Sequence, residues 1–188
     1  MYEVSKIKED LKNMLSEKRY NHCLNVAEVC QKLAQIYQVD EEKAYVAGLT
    51  HDIAKEFTPT ENEYYVDKYQ LSKNLLKDEY KKILHAHIGA LYVKDKYNLA
   101  SDIVNAIDVH TIASPDMDML AKILFVADKI EPNKDYLGIE EERKLAYINI
   151  DKALILCLEN NIKTLELKGK NPHQDTIATL NLLKKLDI

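Results

Sequence analysis

Four histidines and two aspartates stand in five stretches, four of which otherwise read as apolar helical runs. RYNHCLNVAEV carries His22, GLTHDIAKE carries His51 followed directly by Asp52, KILHAHIGA carries His85, AIDVHTIA carries His110 and FVADKIEP carries Asp128. Burying an imidazole or a carboxylate in such a run is costly without a partner. A single buried histidine is more often hydrogen-bonded to a backbone carbonyl than bound to a metal, so the argument needs the whole set. Neighbours on a helix point about 100° apart, which lets His51 and Asp52 reach one cavity from a single turn. His22, His85, His110 and Asp128 then join them from four other helices. Four imidazoles and two carboxylates with no thiolate suit iron, manganese, zinc or cobalt without choosing among them. Helical proteins hold pairs of metals with inward-facing ligands of this kind. Two ions sharing a carboxylate and a water can clamp the oxygens of an in-line displacement at phosphorus, which is phosphohydrolase chemistry.

The elements that must position these residues follow from the hydrophobic spacing. Val4, Ile7, Leu11, Met14 and Leu15 predict an amphipathic helix over 3–17, and a second runs from about 20 to 37. Asp40 is a plausible N-cap for a third, which stays helical through the His-Asp pair as far as Phe57. Gly48 inside it marks a close helix contact. Shorter helices are expected over 60–80, then helices over 76–98, 101–111 (capped by Ser101 or Asp102) and 117–132. Pro132 ends the last of these because its ring cannot continue the ladder. A long helix is expected over 140–168 and a final one over 174–186. With no strand alternation and only four Gly and four Pro in 188 residues, the chain reads as all-α. A single helical-bundle domain is expected over 1–188, its metal-binding core at about 18–132, with C-terminal helices from 140 to 188 packed on it.

Composition narrows the function classes. Apolar residues make up 46% and charged residues 30%, an ordinary soluble balance. The start lacks the apolar core of a secretion signal, and the longest apolar stretch, near 123–127, is far too short to span a bilayer. A cytoplasmic protein with no membrane partner is expected. The net charge of −5 and pI near 5.7 give no broad basic surface for nucleic acid. Cys23, Cys30 and Cys157 are odd in number and lack CxxC spacing, so neither a disulfide framework nor a thiolate site is expected.

The order His, His-Asp, His, His, Asp resembles the HD-domain superfamily of metal-dependent phosphohydrolases. The words RYNHCLNVAEVCQKLAQIY, AYVAGLTHDIAKE, ILHAHIGA, AIDVHT, ILFVADKIEPNKDYLGI and NPHQDTIATLNLL together are similar to its YqeK-like branch, the symmetrical bis(5′-nucleosyl)-tetraphosphatases, across nearly the whole chain. That resemblance implies hydrolysis of diadenosine tetraphosphate to two ADP by a hydroxide held on a di-metal centre. It implies iron as the metal, with manganese, cobalt or zinc as alternatives. His22, His51, Asp52 and Asp128 would ligate one ion and His85 and His110 the second, with Asp52 bridging. Arg19 and Lys55, with Asp52, would be the catalytic groups, the two cations contacting phosphate oxygens. Thr111 would donate to a phosphate or cap its helix, Lys134 would touch substrate, and Glu131 would orient a ligand or Arg19.

Two departures from the family pattern bear on substrate contacts. Ala113 stands where the family usually has a glycine, and Lys134 where it usually has an arginine. His87, about 200° round the helix from His85, is not expected to be a ligand, and His173 reads as a cap or surface residue. Tyr64, Tyr65 and Tyr69 could stack on adenine or pack into the core. A homodimer is a reasonable expectation. The competing readings are another HD-type nucleotidase or deoxynucleoside triphosphate hydrolase, or a non-catalytic metal-bound nucleotide sensor.

Overall fold

The computed structural model describes residues 2–77 and 80–186. Among them every regular element is helical, as the sparse turn residues and helical spacing predict. Helix α1 (Val4–Met14) buries Ile7 and Leu11. Helix α2 (Glu17–Tyr37) starts where the Ser16 side chain accepts from Arg19 N, and α3 (Glu41–Thr50) where Asp40 accepts from Lys43 N. The two cross closely at Gly48. A Cβ there would lie 2.7 Å from Ala27 Cα, so only glycine permits this approach.

Helix α4 (Pro59–Lys68) begins with a reciprocal capping box between Thr58 and Glu61. A 3₁₀ turn at Lys73–Leu76 follows, and then α5 (Lys81–Tyr97). The first turn expected of α5 includes residues 78 and 79, which lie outside the described residues. Helix α6 (Ser101–Val109) has Ala100 as its N-cap with no side-chain cap bond, contrary to the expected Ser or Asp cap. Asp102 pairs instead with Lys43 at 2.6 Å. Helix α7 (Met119–Ile130) buries Leu120, Ile123, Leu124, Phe125 and Val126 and packs against α2, α3 and α6. Helices α8 (Ile139–Ala146) and α9 (Ile150–Leu167) also pack on α7, and α10 (Gln174–Lys185) packs on α9.

Two expected helices are shorter in the structure. The third stops at Thr50 rather than Phe57, where the His51 side chain takes over a terminal carbonyl. Thr50 Oγ1 donates to Val46 O at 2.8 Å, and His51 Nδ1 lies 2.7 Å from Gly48 O. Beyond that point the backbone closes tighter three-residue turns, with Ile53 N on Thr50 O and Lys55 N on Asp52 O. The expected helix over 140–168 is two helices. Asn149 breaks it, because its side chain accepts from Lys152 N and starts α9 afresh.

Among the described residues no helix is long and apolar enough to cross a membrane. The three cysteines are unpaired and buried, as their spacing predicts.

Ala113 occupies left-handed backbone, φ 64°, and is fully buried. This accounts for the glycine expected at the position. An alanine there is disfavoured by roughly 1–2 kcal/mol, part of which is offset by its buried methyl and its stiffer unfolded chain. Ala113→Gly should therefore raise stability by about 0.5 kcal/mol, read as a higher urea midpoint. A clearly lower midpoint would contradict the strain argument.

Candidate metal centre

The six expected ligands come together from five segments of the chain. His22 extends from α2, His51 and Asp52 from the turns after α3, His85 from α5, His110 from the end of α6 and Asp128 from α7. His22, His51, Asp52, His85 and His110 are all buried. The imidazoles form a row, with ring centroids 5.2 Å apart from His22 to His51, 5.0 Å from His51 to His110 and 5.1 Å from His110 to His85.

Asp52 divides its two oxygens between the ends of this row. Oδ1 lies 3.0 Å from His85 Nε2 and 3.6 Å from His110 Nε2. Oδ2 lies 3.6 Å from His51 Nε2 and 3.8 Å from His22 Nε2. Two triads result, His22–His51–Asp52 and Asp52–His85–His110, and within each the candidate donor atoms lie within 4.8 Å of one another. Asp128 faces the first triad, with Oδ1 3.2 Å from His22 Nε2 and 3.8 Å from His51 Nε2.

The orientation of the rings supports cation binding. His51 Nδ1–H donates to Gly48 O, and His110 Nδ1–H donates to Ile107 O at 2.6 Å, which turns both Nε2 lone pairs toward the cluster. His22 Nδ1 lies 3.2 Å from Glu131 Oε1, the carboxylate contact that orients metal-binding histidines. The buried Nε2 atoms of His22 and His51 have no hydrogen-bond partner in the protein. Unpartnered lone pairs beside carboxylate oxygens suit a divalent cation between them.

Burial pushes His51 down to about 3 and His85 down to about 4, so both imidazoles are neutral at physiological pH. Burial opposes charge on Asp52 and Asp128. For Asp52 this is outweighed by His51, by hydrogen bonds to His110 and His85 and by Lys55, and for Asp128 by Lys129, His22, His51 and Lys134. Both carboxyls sit well below the usual carboxylate range.

These directions fix an acid response for metal-free protein. The unfolded chain protonates its histidines near 6.5, whereas folded His51 and His85 resist until about 3 and about 4. Stability present above about pH 6.5 is thus lost progressively as pH falls through that window. The two aspartates add a further loss below their ordinary values. Apo protein should unfold on mild acidification, followed by circular dichroism at 222 nm, and a transition flat from pH 7 to 3 would contradict the assignment.

Other expected residues fall around this core. Arg19 Nη1 donates to Asp52 Oδ2 at 2.6 Å. Lys55 Nζ lies 3.1 Å from His85 Nε2 and 3.8 Å from Asp52 Oδ1. Lys134 Nζ lies 3.8 Å from Asp128 Oδ1. Thr111 adjoins His110, with a buried hydroxyl that has no partner. Glu131 holds His22 and not Arg19. His87 stands apart on Asp108, and His173 caps α10 by accepting from Asp175 N.

Two contributors were missed from sequence, and helical spacing marks only the first of them. Asn25, three residues after His22, donates to Glu131 Oε2 at 3.0 Å. Lys129, beside Asp128, donates to Asp128 Oδ2 at 2.8 Å.

Tyr65 is stacked on Phe57 at 5.1 Å and on Tyr69 at 5.7 Å. It packs against a small satellite core that contains Ala54, Val66, Leu84 and Ile88.

A sequence model of the HD domain matches residues 19–133. The chain belongs to the HD-domain family. It is 36% identical to a protein from Halalkalibacterium halodurans named bis(5′-nucleosyl)-tetraphosphatase, symmetrical, over 92% of each chain. A Bacillus subtilis protein of the same name is 34% identical over 92% of this chain and 93% of its own. A solved structure from Clostridium acetobutylicum, described as a "predicted HD superfamily hydrolase involved in NAD metabolism", is 36% identical. It superposes with a TM-score of 0.90 over 99% of both chains. The likeness to symmetrical tetraphosphatases expected from the HD-domain motifs therefore holds, as does the all-α fold.

Proposed function

We propose that this protein hydrolyses diadenosine tetraphosphate symmetrically to two ADP at a centre of two divalent ions, with iron as the resident metal. The observation that carries the reading is Asp52 divided between two histidine pairs, in a chain whose relatives bear the name of that activity. His22, His51, Asp52 and Asp128 would hold one ion and Asp52, His85 and His110 the other, while manganese, cobalt or zinc also suit these donors. Bound ions would supply Lewis-acid polarisation of phosphate oxygens and a lowered pKa for water.

The protein's own groups set the rest of the reaction. Arg19 is held by Asp52 and offers its remaining N–H groups to phosphate oxygens as a planar fork. Lys55 and Lys134 place two further ammonium groups around the carboxylates, where charge builds on the tetraphosphate. Burial lowers the Lys55 pKa, which favours its passing a proton to a leaving oxygen. The Thr111 hydroxyl, without a protein partner, can donate to a phosphate.

Symmetric cleavage breaks the bridge between the second and third phosphates. Ion-exchange chromatography of the products should show ADP alone. A mixture of ATP and AMP would overturn the symmetric assignment, and no turnover with any of the four metals would favour a nucleotide sensor.

A further inference from the structure

Arg143, on α8, reaches back to the end of the helix that carries Asp128. Its Nε donates to Ile130 O at 3.0 Å. Its Nη2 donates to Glu131 O at 3.0 Å and Lys134 O at 2.9 Å, and lies 3.4 Å from Pro132 O. Nη1 is held by Glu140 at 2.5 Å. One side chain therefore engages four main-chain carbonyls across the end of α7 and the loop that follows.

Those carbonyls belong to a helix terminus, where the last four C=O groups have no partner within the helix. Ala127 O is satisfied by Glu131 N, Lys129 O by the Tyr136 hydroxyl at 3.2 Å, and Ile130 O by Arg143. Tyr136 is itself held by Glu142, which is fully buried on α8 and also accepts from Asn160 at 2.6 Å. Helix α8 thus presents a cation to the carbonyl end of α7 and an anion to the tyrosine that braces it.

The groups fixed in this way all face the candidate centre. Glu131 accepts from Asn25 and contacts His22, Lys134 approaches Asp128, and Asp128 lies less than one turn before the clamped end. We propose that Arg143 is a positioning residue of the metal centre, a clamp that sets the end of α7 and with it Asp128, Glu131 and Lys134. It touches neither ion nor substrate. The proposal rests on the reading of Asp128 as a ligand of the ion held by His22 and His51. Lysine cannot replace the clamp, since one ammonium cannot reproduce the planar fork that spans four carbonyls.

The test is titration of the full-length chain with cobalt(II), read by visible absorption and by competition with a chromophoric chelator. Wild type should bind two ions. In Arg143→Lys one should weaken about 10–100-fold, as for loss of groups that orient ligands, while the other, at His85 and His110, stays close to wild type. Tyr136→Phe, which removes the hydroxyl that Lys129 O and Glu142 share, should move the same ion in the same direction by less, and it carries the test if Arg143→Lys does not fold. Leu180→Ala, remote on α10, should lower the melting temperature without moving either affinity.

Unchanged cobalt affinities in Arg143→Lys, with a melting loss like that of Leu180→Ala, would reduce Arg143 to an ordinary structural contact. Asp128→Asn binding both ions as wild type does would instead remove the parent reading, and the proposal with it.

Discussion

Asp52→Asn is expected to abolish turnover. Its loss should exceed the roughly 10²–10³-fold that removing a single electrostatic contact costs an enzyme. The substitution keeps the volume of the side chain and so isolates its charge. Asp52 Oδ1 serves His85 and His110 while Oδ2 serves Arg19, His51 and His22. An asparagine has one acceptor oxygen, and its amide would point N–H groups at Arg19 or at imidazole nitrogens. The proposed ions would lose the one anion they share, and Arg19 would lose the acceptor that fixes its fork. Metal content by mass spectrometry should fall from two equivalents toward none, ADP release should vanish, and helical circular dichroism should persist. Full metal content with turnover within about tenfold of wild type would remove Asp52 from the bridge.

Gly48→Ala is the second large effect, and it acts through geometry. In an ordinary exposed helix the change would stabilise by about 1 kcal/mol. Here the added Cβ would meet Ala27 Cα at 2.7 Å and Ala27 N at 2.8 Å, both backbone atoms that cannot turn aside. Helices α2 and α3 must part, at a cost of about 1–3 kcal/mol for overpacking, set against the propensity gain. The separation also carries His51 away from His22, since His51 follows the end of α3 and donates to the carbonyl of Gly48 itself. The variant should therefore melt earlier and lose turnover by more than its unfolded fraction explains. Thermal melts and assays well below the melting temperature separate the two effects. A variant as stable as wild type would mean that the contact relaxes freely.

The six converging side chains were legible because most put a group that needs a partner into a run that offers none, and five of them prove buried together. The ends of elements were less so. Nothing in the spacing of residues 41–57 shows that His51 turns its ring onto Gly48 O, where α3 stops short. Asn149 is a preferred capping residue, and its signal was outweighed by the apolar period running through 140–168. The role of Glu131 follows from how α7 lies against α2, a tertiary fact, so the family resemblance left it divided between Arg19 and a ligand. Arg143 lies further out of reach, because its partners are main-chain carbonyls, which every residue possesses and no sequence distinguishes. Tyr65 was ambiguous for the opposite reason. An aromatic serves a core or a base equally well until its neighbours are placed, and here Tyr65 stacks on Phe57 and Tyr69 and packs against the satellite core.

That the donors arrive from five separate segments ties occupancy of the centre to the lifetime of the chain. No two neighbouring helices can assemble the set, so ions that bind it recognise only the folded protein. At free concentrations a thousandfold above the dissociation constant each would add about 4 kcal/mol against unfolding. Starved of the ion, the polypeptide would give up that margin along with its catalysis, and its resistance to proteases would fall with metal supply.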